Sequence, residues 1–101
     1  MTYYPLEKLH QLYDGYQRAF RVQGLELLLI QDQQRTYLIE NRCPHMDAPL
    51  TYASIRDGVI RCPMHGIEFN LDSGQGRAPG CLQPLKSYTP VYEGNTIGIV
   101  I

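Results

Sequence analysis

Two short segments hold the residues best suited to chemistry: Asn41-Arg42-Cys43-Pro44-His45-Met46-Asp47 and Arg61-Cys62-Pro63-Met64-His65-Gly66. Between them they contain two of the three cysteines and two of the three histidines in the chain. The first is a Cys-x-His pair, the second a Cys-x-x-His pair, and sixteen residues separate His45 from Cys62. With so few histidines, a given offset from a cysteine holds one by chance about 3% of the time, and two such coincidences are rarer still. Thiolate and imidazole are the ligands preferred by soft and borderline metals. Each pair also carries a proline, which fixes φ and stiffens its loop. A mononuclear zinc ion could use the same four side chains, although zinc fingers usually pair Cys with Cys and His with His. One thiolate and one imidazole per loop suits an asymmetric two-iron cluster, with both thiolates on one iron and both imidazoles on the other.

These loops need a scaffold, and the flanking pattern is that of short strands. Glu26–Gln31 and Thr36–Glu40, around Asp32-Gln33-Gln34-Arg35, read as a hairpin. Phe20–Val22, Gly58–Arg61 and Ile67–Phe69 read as further strands, so each ligand pair lies at a strand edge. Gly24 and Asp72-Ser73-Gly74 are turn signals. Tyr88–Tyr92 and Thr96–Ile101, split by Glu93-Gly94-Asn95, read as a final hairpin. Leu6, Leu9 and Tyr13 have partial helical spacing and suggest a short helical turn near the start. The expected fold class is all-β: a small, mostly antiparallel domain.

Length and charge narrow the function classes. The 101 residues suffice for a single domain over 1–101, with the ligand-bearing part at about 41–84. A hydrophobic fraction of 44% argues against disorder. The net charge of −1 gives no basic surplus for nucleic acid or an anionic membrane. The longest wholly apolar run, Leu27–Ile30, is too short to span a bilayer. The first residues lack the pattern of an export signal, so the expected compartment is the cytoplasm. Three widely spread cysteines there favour metal or redox chemistry over a disulfide framework.

Cys43-Pro44-His45 and Cys62-Pro63-Met64-His65-Gly66, with Ala48-Pro49-Leu50 and Phe69-Asn70-Leu71-Asp72-Ser73-Gly74, closely resemble the Rieske family. The final segment, Leu85–Ile101, is similar to the end of a stand-alone Rieske-type ferredoxin. The resemblance implies one 2Fe–2S cluster, with Cys43 and Cys62 on one iron and His45 and His65 on the other. It implies a soluble electron carrier, not an enzyme in its own right, between a flavoprotein reductase and a terminal oxygenase. The alternatives are a small Rieske subunit of an enzyme complex such as a nitrite reductase, or a zinc interaction module.

Departures within the family refine the type. High-potential Rieske proteins carry an extra cysteine in each loop, where this chain has Ala48 and Met64. They also place Ser and Tyr, whose hydroxyls bond the cluster, where this chain has Ile67 and Phe69. This pattern resembles the soluble ferredoxins that serve ring-hydroxylating oxygenases and implies a low potential for the type. Among the remaining residues, Cys81 reads as a small apolar or thiol side chain and His10 as a surface histidine. Met46 and Met64 read as packing for the ligand loops, with a role in a docking rim alongside Pro79 as the second reading. Arg42, Asp47, Arg56 and Arg61 read as solvated surface charge. Gly66 reads as a close backbone approach or a donor to a sulfide. Arg77–Pro84 resembles the family's cluster-covering loop.

Overall fold

The central sheet explains the longest apolar run in the sequence. In this computed structural model, which describes residues 1–44, 48–63, 66–77 and 83–101, Leu27, Leu28, Leu29 and Ile30 are all fully buried. They lie in β3, in a four-stranded antiparallel sheet of order β2(Gln17–Val22), β3(Leu25–Asp32), β4(Arg35–Glu40) and β8(Ser87–Tyr88). Successive strand side chains point to opposite faces. Leu28, Ile30 and Ile39 accordingly enter one apolar cluster, and Leu27, Leu29 and Leu38 enter another. The sheet is the middle layer of three, so consecutive residues along β3 are apolar. Each fully buried Leu or Ile contributes about 1.5–3 kcal/mol relative to exposure.

One outer layer is the three-stranded sheet β1(Tyr3–Lys8), β10(Thr96–Val100) and β9(Val91–Glu93), whose Ile97 and Ile99 pack with Leu27 and Leu29. The other is β5(Ser54–Arg56), β6(Val59–Arg61) and β7(Glu68–Asn70). There Ile55, Ile60 and Phe69 stand opposite one another across three strands and pack in the cluster of Leu28 and Ile30. The neighbouring rung, Ser54, Arg61 and Glu68, is exposed.

The β3–β4 hairpin turn rests against this second outer sheet. Gln33 and Gln34 both have positive φ, 51° and 65°, the primed turn that matches strand twist. Asp32 Oδ2 accepts the Gly58 N–H at 2.9 Å, and Gln33 Nε2 donates to Asp57 Oδ1 at 3.3 Å. Tyr37 donates its hydroxyl to Asp72 at 3.0 Å, and Arg35 pairs with the same carboxylate at 3.3 Å. Burial and then Asp72 push the Tyr37 phenol above its ordinary value.

The all-β expectation holds, as does the β3–β4 hairpin. Two local readings change, and one short strand was missed. Leu6 lies in β1 and only Leu9–Gln11 make a 3-10 turn, because pairing with β10 outweighs a weak helical period. Tyr88 and Val91 do not share a strand: Tyr88 pairs with Leu38 of the central sheet, whereas Val91 pairs with Gly98. Pro90, with no N–H to give, falls at the switch between the sheets. The three-residue β5 had too few residues to show a period. Among the described residues no helix is long and apolar enough to cross a membrane.

Candidate metal centre

Two of the four expected ligands are described, and they occupy equivalent positions. Cys43 follows β4 and Cys62 follows β6. Each opens a short loop closed by the same main-chain bond. The Cys43 N–H donates to the Ala48 carbonyl at 2.7 Å, and the Cys62 N–H to the Ile67 carbonyl at 2.8 Å. Both close from a residue to the fifth one after it, so the two loops share one closing bond. His45, Met46 and Asp47 of the first loop, and Met64 and His65 of the second, lie outside the described residues.

Both thiol side chains are buried, at 0% and 1% exposure, in one apolar cluster with Leu50, Ile60, Phe69 and Leu71. Ala48 and Ile67, the residues that close the two loops, pack against the same cluster. Two thiols from two matched loops against one dry wall fit a soft-metal group that takes both. The apolar wall lowers the local dielectric and excludes water, two of the protein's levers on a redox group.

Gly66 has φ +70°, a left-handed conformation that glycine adopts without strain. Its N–H donates to the Cys62 carbonyl at 2.9 Å, a bond within the loop's own backbone. The Arg61 guanidinium lies beside it: a Cβ on Gly66 would stand 3.0 Å from Nη2. Any larger residue would move that cation. Arg42 is exposed and pairs with Glu40 at 2.9 Å, while Arg56 and Arg61 are exposed, as surface charge should be.

The segment after β7 is tied down at its base. The Gly74 N–H bonds the Asn70 carbonyl at 2.7 Å, and Leu85 N–H bonds the Gly74 carbonyl at 2.7 Å. Arg77 N–H reaches the Glu68 carbonyl at 2.9 Å, so the segment begins alongside β7. Pro79 and Cys81 within it lie outside the described residues. His10 is exposed in the 3-10 turn and contacts Gln11, far in sequence from both loops.

Asn41 and Gln17, whose side chains bond the backbone around residues 50–53, were not anticipated. Asn41 stands two places before Cys43 and could have been suspected from that position. Gln17 gives no sequence signal, because its target is 36 residues away.

The Rieske [2Fe-2S] domain pattern matches residues 2–89. The ferredoxin component of an alkene monooxygenase system from Xanthobacter autotrophicus is 36% identical over 80 residues, covering 74% of this chain and 66% of that protein. Apoptosis-inducing factor 3 of Homo sapiens is 33% identical over 62% of this chain, but the match spans only 10% of its length. Among solved structures, the ferredoxin of carbazole 1,9a-dioxygenase from Nocardioides aromaticivorans superposes with a TM-score of 0.85. It is 31% identical and the match covers 98% of this chain and 97% of that one. With two matched cysteine loops on an all-β frame and a pattern that runs through most of its length, the chain belongs to the Rieske [2Fe-2S] domain family.

Proposed function

We propose that this protein is an electron-transfer ferredoxin, accepting one electron at a time from a flavoprotein reductase and delivering it to a terminal oxygenase. The observation that carries this reading is the pair of equally closed loops that bury Cys43 and Cys62 in one apolar cluster. In the proposed ligand set, Cys43 and Cys62 hold one iron and His45 and His65 the other. A bound 2Fe–2S cluster supplies a reversible one-electron couple. The chain's own part is to keep the site dry and fixed. Leu50, Ile60, Phe69 and Leu71 exclude water around the thiols, and the main-chain bonds at Ala48 and Ile67 hold the loop stems. Ile67 and Phe69 offer no hydroxyl there, which favours a low potential within the type.

The carrier role, without catalysis of its own, draws support from the relatives named as ferredoxins of oxygenase systems. It makes the chain one domain over 1–101, with 41–84 as its cluster-bearing part. Its proposed compartment is the cytoplasm, where thiols stay reduced. A permanent-subunit role is favoured by one observation: in apoptosis-inducing factor 3 the matching stretch is a small part of a longer protein.

Anaerobic purification followed by iron, zinc and acid-labile sulfide analysis tests the cofactor. About two irons and two sulfides per chain, with an EPR signal on reduction, are expected. Zinc without sulfide overturns the reading. Stopped-flow reduction by a flavoprotein reductase, then reoxidation by a terminal oxygenase, tests the role. A chain that exchanges electrons only while bound in a stable complex supports the subunit instead.

A further inference from the structure

Two amide side chains, Gln17 of β2 and Asn41 just past the end of β4, close on one short segment that follows the first ligand loop. Asn41 is anchored first by its own backbone, whose N–H bonds the Glu26 carbonyl at 2.8 Å. Its Oδ1 accepts the Leu50 N–H at 2.8 Å, and its Nδ2 donates to Thr51 Oγ1 at 2.7 Å. Gln17 of β2 holds the other end. Its Nε2 donates to the Ala53 carbonyl at 3.0 Å, and its Oε1 accepts the Ala53 N–H at 3.1 Å. That N–H is shared with the Leu50 carbonyl at 3.0 Å, which folds the segment into a turn. Between the two clasps Tyr52 has φ +67° and is 90% exposed. Left-handed backbone is disfavoured for so bulky a residue, and its exposed ring gains little by packing there. The clasps on either side are what hold the backbone in this shape.

We propose that Asn41 and Gln17 are positioning residues for the cluster site. They pin Leu50–Ala53 to the central sheet and thereby fix the returning leg of the first ligand loop. Only Pro49, with its fixed φ, lies between Ala48, which closes the Cys43 loop, and Leu50, which Asn41 holds. A shift at Leu50 therefore passes to Ala48 and, through its hydrogen bond, to Cys43. The second loop stands on β6 and β7 and is closed by the main-chain bonds of Cys62 and Gly66. The clamp thus sets the placement of Cys43 relative to Cys62. This inference rests on the proposed ligand set.

The test compares the full cluster-loaded chain with Asn41→Ala, Gln17→Ala and the double variant. Gln23→Ala and Gln31→Ala serve as controls. Each removes a side-chain amide bond elsewhere: Gln23 to the Tyr4 hydroxyl at 2.7 Å, and Gln31 to Asp14 at 3.1 Å. Reduced-state EPR and the rate of visible bleaching under an iron chelator are read for all. Each clamp variant loses two side-chain hydrogen bonds, so it should shift or broaden the EPR lines and bleach at least about fivefold faster, the equivalent of about 1 kcal/mol from one of them. The controls should stay at the wild-type rate and line shape. Clamp variants indistinguishable from the controls overturn the proposal. If Asn41→Ala does not fold, Thr51→Val removes only the Nδ2 partner, and the same two readouts decide. A wild-type chain without the cluster signal overturns the proposed function and the clamp with it. A wild-type signal that the clamp variants leave unmoved overturns the clamp alone.

Discussion

Gly74→Ala should force apart Gly74 and Leu85, the two ends of the segment that follows β7, at a cost that two controlled substitutions can apportion. Gly74 has φ +77°, and a Cβ there would stand 2.8 Å from the Leu85 carbonyl oxygen. That neighbour is backbone and cannot rotate away. Gly24 has a similar φ of +81° and no atom within 4 Å of its Cβ position. Gly24→Ala therefore measures the left-handed conformation alone, about 1 kcal/mol. Gly74→Ala adds a steric term of about 1–3 kcal/mol and strains the bond from the Leu85 N–H to the residue-74 carbonyl. The total is about 2–4 kcal/mol. At about 4–8 °C per kcal/mol for a domain of this size, Gly74→Ala should lower the melting midpoint by about 8 °C or more, and Gly24→Ala by only about a quarter to a half as much. Far-UV circular dichroism with visible absorbance on the loaded protein reads both. In Gly74→Ala, colour should be lost below the midpoint of backbone unfolding if the segment 75–84 closes over the proposed site, because its base at Gly74 and Leu85 is what the added Cβ loosens. Equal midpoints for the two variants would refute the steric argument. A normal midpoint with early bleaching would show the segment shields the site without stabilising the fold.

Cys43→Ser or Cys62→Ser should abolish the visible spectrum, whereas Cys81→Ser should leave it nearly intact; the reverse pattern in absorbance and iron content would reassign the ligands. Phe69→Tyr should raise the midpoint potential if its new hydroxyl reaches the cluster, since Phe69 shares the apolar cluster of both thiols. The wild-type value should lie nearer about −150 mV than +300 mV, and voltammetry giving a value well above zero would contradict the reading of Ile67 and Phe69. The Lys8 backbone N–H, then Tyr16 and Arg18, hold Glu7 below its ordinary value against the opposing effect of burial. This contribution is present above the ordinary carboxylate pKa and is lost as pH falls through the lower folded value. The urea midpoints of wild type and Glu7→Gln should therefore differ at neutral pH and converge in acid; a constant gap would refute the linkage.

Residue type and spacing were enough to mark two Cys/His segments, each following a short strand. Cys43-Pro44-His45 and Cys62-Pro63-Met64-His65 are local patterns, and Glu26–Gln31 was legible as a strand, although its burial on both faces emerged only with the two outer sheets. The β3–β4 hairpin was legible for the same reason, because its register depends on neighbours close in sequence. Tertiary structure decided what depends on distant partners. β1 is a strand because β10, some ninety residues later, supplies its hydrogen bonds. Tyr88 and Val91 belong to different sheets because Leu38 and Gly98 claim them, and a proline between them only permits the switch. The clamp on Leu50–Ala53 was invisible in Gln17, since an amide side chain declares no target until the fold brings one within 3.0 Å. Candidate ligands can be named from side-chain type, which is local; the placement of the segments that carry them is long-range, set by which backbone groups of a folded chain remain to be satisfied.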